Sequence, residues 1–366
     1  MKDDITRVAA PQLVGLIARL FSASGLPASA AECVAAGLVE ADLDGLPSHG
    51  VMLVDMYLER IQRGSVSSAE TAKVVSDRNA AIVLDAGHAL GQLTGAQAMS
   101  SAVARAQQIG VAVVAVRHGF HFGTAGRYAQ QAAEAGCIGI AMCNTRPLMP
   151  APGGAERVVG NNPLAIAVPC SGPIPIILDM ATSEAAMGKI RMADKAGHPI
   201  PATWAVKADG TPTTNAAEAI AGMLLPSGGP KGFGLAFMID LLCGLLSGGA
   251  IGAGVQPLYG DFSVPYDCSH LFLAIDVAHF CDVDAFRAKA AAAADNIRSS
   301  RRAAGTDALF APGEPEWQKR RSSGDQVLLT APVVDMLVRL AGELGVPPTP
   351  FVSSPDQSKV IGHAQA

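Results

Sequence analysis

The chain has 366 residues, enough for two or three packed lobes rather than one core. Apolar residues make up 49% and charged residues 16%, which excludes a disordered protein. The formal net charge is −5 and no long basic run occurs, so neither nucleic acid nor an anionic membrane is an expected partner.

Apolar positions 13, 16, 17, 20 and 21 predict a helix over 11–25, and residues 28–43 and 51–63 read as two more. The first 75 residues are expected to form a helical lobe that presents Ser48-His49-Gly50 at a helix start, with Ser48 capping that helix or bonding the ring. Continuous apolar runs at 80–85, 111–116, 138–143, 163–169, 174–179 and 270–276 predict strands covered on both faces. Helices are expected at 92–108, 124–135, 183–196, 284–304 and 332–344. Residues 232–255 are long enough to cross a bilayer, but Asp240 sits mid-run and the last third is glycine-rich; a buried helix of about four turns is expected there instead. Residues 76–310 read as one α/β region. Residues 311–366 read as a C-terminal helix and an extended tail packing back on the N-terminal lobe.

The seven cysteines, at 33, 137, 143, 170, 243, 268 and 281, form no C-x-x-C pair. They read as reduced, mostly buried thiols of a cytoplasmic protein. The first residues, MKDDITRVAAPQ, carry no signal-peptide core. No G-x-G-x-x-G or P-loop is present. Instead, Gly123 and Gly126 lie where the 111–116 strand turns into a helix, a place that suits either a bound phosphate or a plain tight turn. His118 and His121 form an H-x-x-H pair without a further ligand, and no metal is expected. The loop 144–163, rich in Pro, Gly and Asn, is long for a structureless connection and reads as functional.

SHG (48–50), HFGTAGRYA (121–129), NTRPLMPAPGG (144–154), GNNPLAIAVP (160–169), LDMATSEAAMGKI (178–190), IPATWAV (200–206), GTPTT (210–214) and GGPKGFGLAFMIDLLCGLLSG (228–248) occur in this order. Together they make the chain resemble the type-2 malate/L-lactate dehydrogenases, a family that also holds ureidoglycolate and sulfolactate dehydrogenases, diketogulonate reductase and piperideine/pyrroline-2-carboxylate reductase. The resemblance spans about residues 10–345. It implies a non-Rossmann NAD(P)-binding mixed sheet flanked by helices, an N-terminal helical lobe, and a homodimer. It also implies hydride transfer to or from a small 2-oxo or 2-hydroxy acid.

Reduction of a carbonyl needs a proton donor with a pKa near the working pH, which suits histidine. The resemblance assigns that role to His49, with Ser48 as its relay partner, and places His121 and Lys189 in the reacting region. It implies substrate contacts from Asn144, Thr145, Asn161, Met187 and Gly188. The cofactor, NAD or NADP with NADPH favoured, would lie along His121, Phe122, Gly123, Thr124, Ala125, Asp179, Met180, Ala181, Lys231, Gly232, Gly313, Glu314 and Lys319. Arg301, Arg302, Arg320 and Arg321 are candidate partners for a 2′-phosphate. Most family members carry an arginine for the substrate carboxylate where this chain has Leu53. Arg146 is the expected replacement, because its planar fork meets a carboxylate bidentately, with Arg127 and Arg157 as alternatives. Lys189 stands where the imino-acid reductase has an aspartate, which favours an oxo acid over a cyclic imino acid. A cofactor-free isomerase using His49 as base is the alternative from another class.

Overall fold

The computed structural model of the protein describes residues 5–351. The expected polar tail beyond 351 lies outside them. In chain order, strand β1 (Ile5–Ala9) runs into α1 (Ala10–Ala23), and α2 (Ala28–Leu43) packs on α1. Leu13, Leu16, Ile17, Leu20 and Phe21 are buried, which is the helical spacing seen in the sequence. Two single-turn 3₁₀ helices, Pro47–His49 and Val51–Leu53, precede α3 (Val54–Gln62). Then come β2 (Lys73–Arg78), β3 (Ala81–Asp85), α4 (Gly91–Ile109), β4 (Val111–Gly119), α5 (Ala125–Glu134), β5 (Cys137–Cys143), β6 (Leu164–Val168) and β7 (Ile176–Met180). A smaller group follows: α6 (Met187–Ala196), β8 (Ala205–Val206), α7 (Ala216–Ala221) and β9 (Met223–Leu224). The chain continues through α8 (Pro230–Ser247), β10 (Cys268–Asp276), α9 (Val283–Ser299), α10 (Glu314–Ser323), β11 (Gln326–Thr330) and α11 (Ala331–Glu343).

The chain divides into two compact units, residues 63–318 and the two ends on either side of them. The boundaries thus fall at 62 and 318, where the sequence suggested 75 and 310. In the end unit, β1 pairs antiparallel with β11, from Ile5 opposite Thr330 to Ala9 opposite Gln326. The lobe is therefore not purely helical. Both strands are five residues long and only partly apolar, too short for periodicity to expose them.

The central unit is built on a seven-stranded mixed sheet in the order β2-β3-β4-β10-β5-β6-β7. Strand β10 lies between β4 and β5, antiparallel to both, and β3 and β4 run parallel. Side chains alternate between the faces. Ala112, Val114, Val116 and Phe272 join the core under α4 and α5, with Ala98, Ala102, Ala129 and Ala132 of those helices. Ala115 and Leu271 meet Ile239 and Cys243 of α8 on the other face. A third core binds Met149 and Val159 of the long loop to Ile190, Ala205, Ala219 and Leu224. The sequence reading omitted β2 because it is an exposed edge strand, polar along most of its length.

Helix α8 is only half buried, where full burial was expected. Its inner face carries Gly232, Ala236, Ile239, Asp240, Cys243, Gly244 and Ser247. Its outer face carries Leu235, Phe237, Met238, Leu245 and Leu246, exposed by 38% to 59%. The helix is long and apolar enough to cross a membrane, with a mean hydropathy of 1.3, yet one side of it covers a sheet.

Candidate active site

In the end unit, the chain leaves α2 and makes the Ser48-His49-Gly50 turn. Ser48 Oγ lies 3.0 Å from His49 Nδ1. The ring is half-buried, and burial lowers its pKa from the ordinary value. Of the two jobs considered for Ser48, it takes the bond to the ring. Capping falls to Asp42 on α2, whose Oδ2 accepts the Val51 N–H at 2.7 Å. Gly50 is required there, because a Cβ at that position would stand 2.2 Å from the same oxygen. Leu53 is 1% exposed, so its position has become part of the core. Lys319, expected on the cofactor, donates to the Gly45 carbonyl at 3.3 Å within this unit.

In the central unit, the loop after β4 carries His121 and Phe122. The Phe122 ring is stacked on His270 of β10, with centroids 4.5 Å apart and planes at 12°. It is also stacked on Tyr128 of α5 at 5.0 Å and 21°, and the Tyr128 hydroxyl donates to the Phe122 carbonyl. His270 is fully buried and pushed down to about 3, so it stays neutral; its Nε2 lies 3.2 Å from Cys268 Sγ. Gly91, at the start of α4, lets this loop pass, since a Cβ there would meet the Phe120 and His121 carbonyls at 2.3 and 2.6 Å. His118 turns to Asp85, with Nδ1 3.0 Å from Oδ1. Among the described residues no group of three metal-ligating side chains exists. His270 and Tyr128 escaped sequence reasoning because each lies in an element that reads simply as core.

The helix start at Gly123–Gly126 already holds one anion of the protein. The Gly126 N–H donates to Asp179 Oδ2 at 2.7 Å, so a carboxylate already holds the α5 N-terminus. Helix α8 differs. Its N-cap, Gly229, makes no side-chain bond, Pro230 follows, and Lys231 is exposed in the first turn. Just ahead of the cap, the Gly228 N–H donates to Glu184 Oε2 at 3.3 Å. Of the other positions expected on the cofactor, Glu314 is 5% exposed and accepts from Arg298 Nε at 2.8 Å, and Gly313 presses on Ile177 of β7. Both are committed to internal packing.

Three sequence motifs interlock beside this helix. The Thr145 N–H donates to Asn162 Oδ1 at 2.8 Å, and Thr145 Oγ1 lies 3.0 Å from Asn161 Oδ1. The Thr182 N–H donates to the Asn161 carbonyl at 3.0 Å, and Asn162 Nδ2 donates to the Ala236 carbonyl of α8 at 2.8 Å. Asn144, expected to face the substrate, is fully buried. Its Nδ2 donates to Asp240 Oδ1 at 2.9 Å and to the Ala250 carbonyl at 2.8 Å, and its Oδ1 accepts the Ser269 N–H at 2.7 Å. Burial raises the pKa of Asp240; the bond from Asn144 and one from the Gly252 N–H oppose that rise.

Arg146 is half-buried in the same loop. Its pKa is lowered by burial and then by the neighbouring Arg157 guanidinium. Arg157 is itself tied to the α7 end, donating to the Gly222 and Ala221 carbonyls at 3.1 and 3.2 Å. Met187 is partly buried at the start of α6, while Gly188 and Lys189 are exposed.

A mixed sheet without the G-x-G-x-x-G turn, an anchored HFG loop and a helix start bearing a lysine are features of an α/β enzyme outside the Rossmann class. Comparison with known proteins agrees. Residues 8–337 match the malate/L-lactate dehydrogenase family. The malate dehydrogenase of Pyrococcus abyssi is 34% identical over 355 residues, covering 94% of this chain and 96% of that one. The ureidoglycolate dehydrogenase (NAD(+)) of Escherichia coli strain K12 is 36% identical, over 84% of this chain and 88% of its own. The solved sulfolactate dehydrogenase of Methanocaldococcus jannaschii superposes with a TM-score of 0.89 at 34% identity, covering 94% of this chain and 98% of that one. The chain belongs to the malate/L-lactate dehydrogenase family. The family makes it an NAD(P)-dependent dehydrogenase or reductase of small 2-hydroxy acids, which displaces the cofactor-free isomerase reading.

The Asn144 geometry makes a specific prediction. Asn144→Ala leaves Asp240 with only the Gly252 N–H and is expected to cost about 1.5–3 kcal/mol of stability, the scale of a hydrogen bond to a charged group, read by urea denaturation. At a permissive temperature KM for the oxo acid should stay within about twofold; a large rise in KM without loss of stability would place Asn144 on the substrate instead.

Proposed function

We propose that the protein reduces a small 2-oxo acid, or oxidises the corresponding 2-hydroxy acid, with His49 as the general acid and base. The observation that carries this reading is the contact of Ser48 Oγ with His49 Nδ1, which orients the ring; its Nε2 would then meet the substrate oxygen. The bound nicotinamide supplies or takes the hydride. In reduction, His49 Nε2–H protonates the oxygen as the carbonyl becomes an alcohol. In oxidation, the neutral ring takes that proton back. Because burial lowers its pKa, the protonated form fades below the usual histidine range as pH rises. Reduction therefore slows with rising pH, and oxidation slows as pH falls through the same value.

Lys231 and the open α8 start would hold the cofactor phosphates, and the HFG loop would line the nicotinamide side. NADPH is the favoured reductant on the strength of Arg301 and Arg302, exposed just after α9. Thr145, Asn161 and Arg146 would face the substrate, with Arg146 holding its carboxylate. This choice rests on Arg157 being occupied by backbone carbonyls. The exposed ammonium of Lys189 favours an oxo acid over a cyclic imino acid. All seven cysteines are free thiols, which suits a reducing cytoplasm. The apolar outer face of α8 supports a homodimer, because a stripe of five exposed large apolar side chains is what an interface buries.

The deciding assay follows pyruvate, oxaloacetate and Δ1-piperideine-2-carboxylate with NADH and with NADPH. His49→Ala should lower kcat by roughly 10²–10⁴ while cofactor affinity holds; near-normal turnover would remove His49 from the mechanism. Arg146→Ala should lose about 2–4 kcal/mol in kcat/KM, and a loss under about 0.7 kcal/mol would put the anchor elsewhere. Light scattering should give twice the 37.3 kDa of one chain, and Leu245→Asp with Leu246→Asp should give a single chain; a wild-type monomer at micromolar concentration would refute the dimer.

A further inference from the structure

The Asp42 carboxylate has no place in the hydride-transfer scheme, yet it occupies a costly position. It projects from the last turn of α2, and its Oδ2 accepts the Val51 N–H at 2.7 Å, immediately after the Ser48-His49-Gly50 turn. The same oxygen fills the space where a Gly50 Cβ would stand. The backbone on the C-terminal side of His49 is thus pinned by one anion, with no room for the turn to slide. His49 makes its own bond, to Ser48, within that pinned turn.

From this geometry we infer that Asp42 is a positioning residue for the reaction: as a carboxylate bonded to the Val51 N–H it holds the Ser48-His49-Gly50 turn in its working shape. The inference rests on the reading of His49 as the proton donor. Burial raises the Asp42 pKa to about 6, with the Val51 bond acting the other way. The protein therefore keeps an anion where apolar surroundings disfavour one, and it loses that anion within an ordinary working range. Elsewhere in this unit Asp44 is paired with Arg320 at 3.3 Å, Asp55 with Arg339 at 2.9 Å, and Lys319 reaches the Gly45 carbonyl. Burial is the dominant influence on Asp42.

The sign distinguishes Asp42 from His49 in the reductive direction. Working His49 must be protonated, so its titration gives a falling limb as pH rises. Working Asp42 must be ionised, so its titration gives a falling limb as pH drops through about 6. The test measures kcat against pH with NADPH and whichever of pyruvate and oxaloacetate turns over faster. Wild type should show both limbs. Asp42→Asn cannot ionise and stands in for the protonated acid; it should lose the acid limb, keep the alkaline one, and hold kcat at pH 7 about tenfold below wild type, at the level wild type reaches at low pH. Val51→Pro removes the donor at the first residue of a helical turn, where proline is tolerated, and should lower kcat by about tenfold with cofactor Kd unchanged. An Asp42→Asn profile that superimposes on wild type overturns the inference, as does wild-type kcat in Val51→Pro. If circular dichroism shows Asp42→Asn unfolded, Val51→Pro decides alone. His49→Ala separates the two readings. Full turnover in that variant removes the proton donor itself, whereas loss there with both other variants unaffected removes only the role of Asp42.

Discussion

The stacking of Phe122 between His270 and Tyr128 is the contact on which the central unit's functional groups depend. It joins the middle strand of the sheet, the loop after β4 and the helix after that loop through three rings, one of them a histidine that burial keeps neutral. A charged His270 would need a partner in a space lined by Phe122, Phe272 and Tyr128, and its pKa of about 3 removes that demand at any working pH. Held this way, the HFG loop does not have to be ordered by a ligand, so less binding energy goes into arranging it.

The two helix starts near the cofactor motifs show how one backbone feature can serve opposite ends. At α5 the protein supplies its own anion, Asp179, and the helix start becomes a joint between β7 and α5. At α8 the cap is glycine and proline, the first-turn side chain is a lysine, and the Glu184 carboxylate accepts the Gly228 N–H ahead of the cap, at 3.3 Å. The difference lies in Asp179, which is 53 residues away from Gly126 in sequence, so local reading of the Gly123–Gly126 turn had no means of distinguishing a phosphate site from a closed joint.

Legibility followed burial and length. The strands at 111–119, 137–143 and 268–276 are apolar runs covered on both faces, and their apolar character alone marks them. β1, β2 and β11 are short or exposed, and their pairing partners are what make them strands. In the candidate site, the Ser48–His49 contact was visible as a neighbouring pair. Asn144 was not, because a buried asparagine and a substrate-facing one have the same letter; only Asp240, 96 residues on, reveals which it is. The same holds for Asp42, whose partner amide belongs to a turn that the sequence presents as a simple helix start.

The position of β10 in the sheet also governs how the protein can be made. β4 and β5 leave the ribosome together, yet they do not pair with each other; the strand that joins them is 125 or more residues further along, after the whole of α8. Until residue 276 has emerged, the sheet remains in two halves, β2-β3-β4 and β5-β6-β7, each with a raw inner edge. Long-range closure of this kind is slow, and during synthesis it leaves strand edges and the apolar α8 available to other chains. β1 likewise finds its partner only when residues 326–330 have emerged, so the end unit's strand pair also closes late in synthesis.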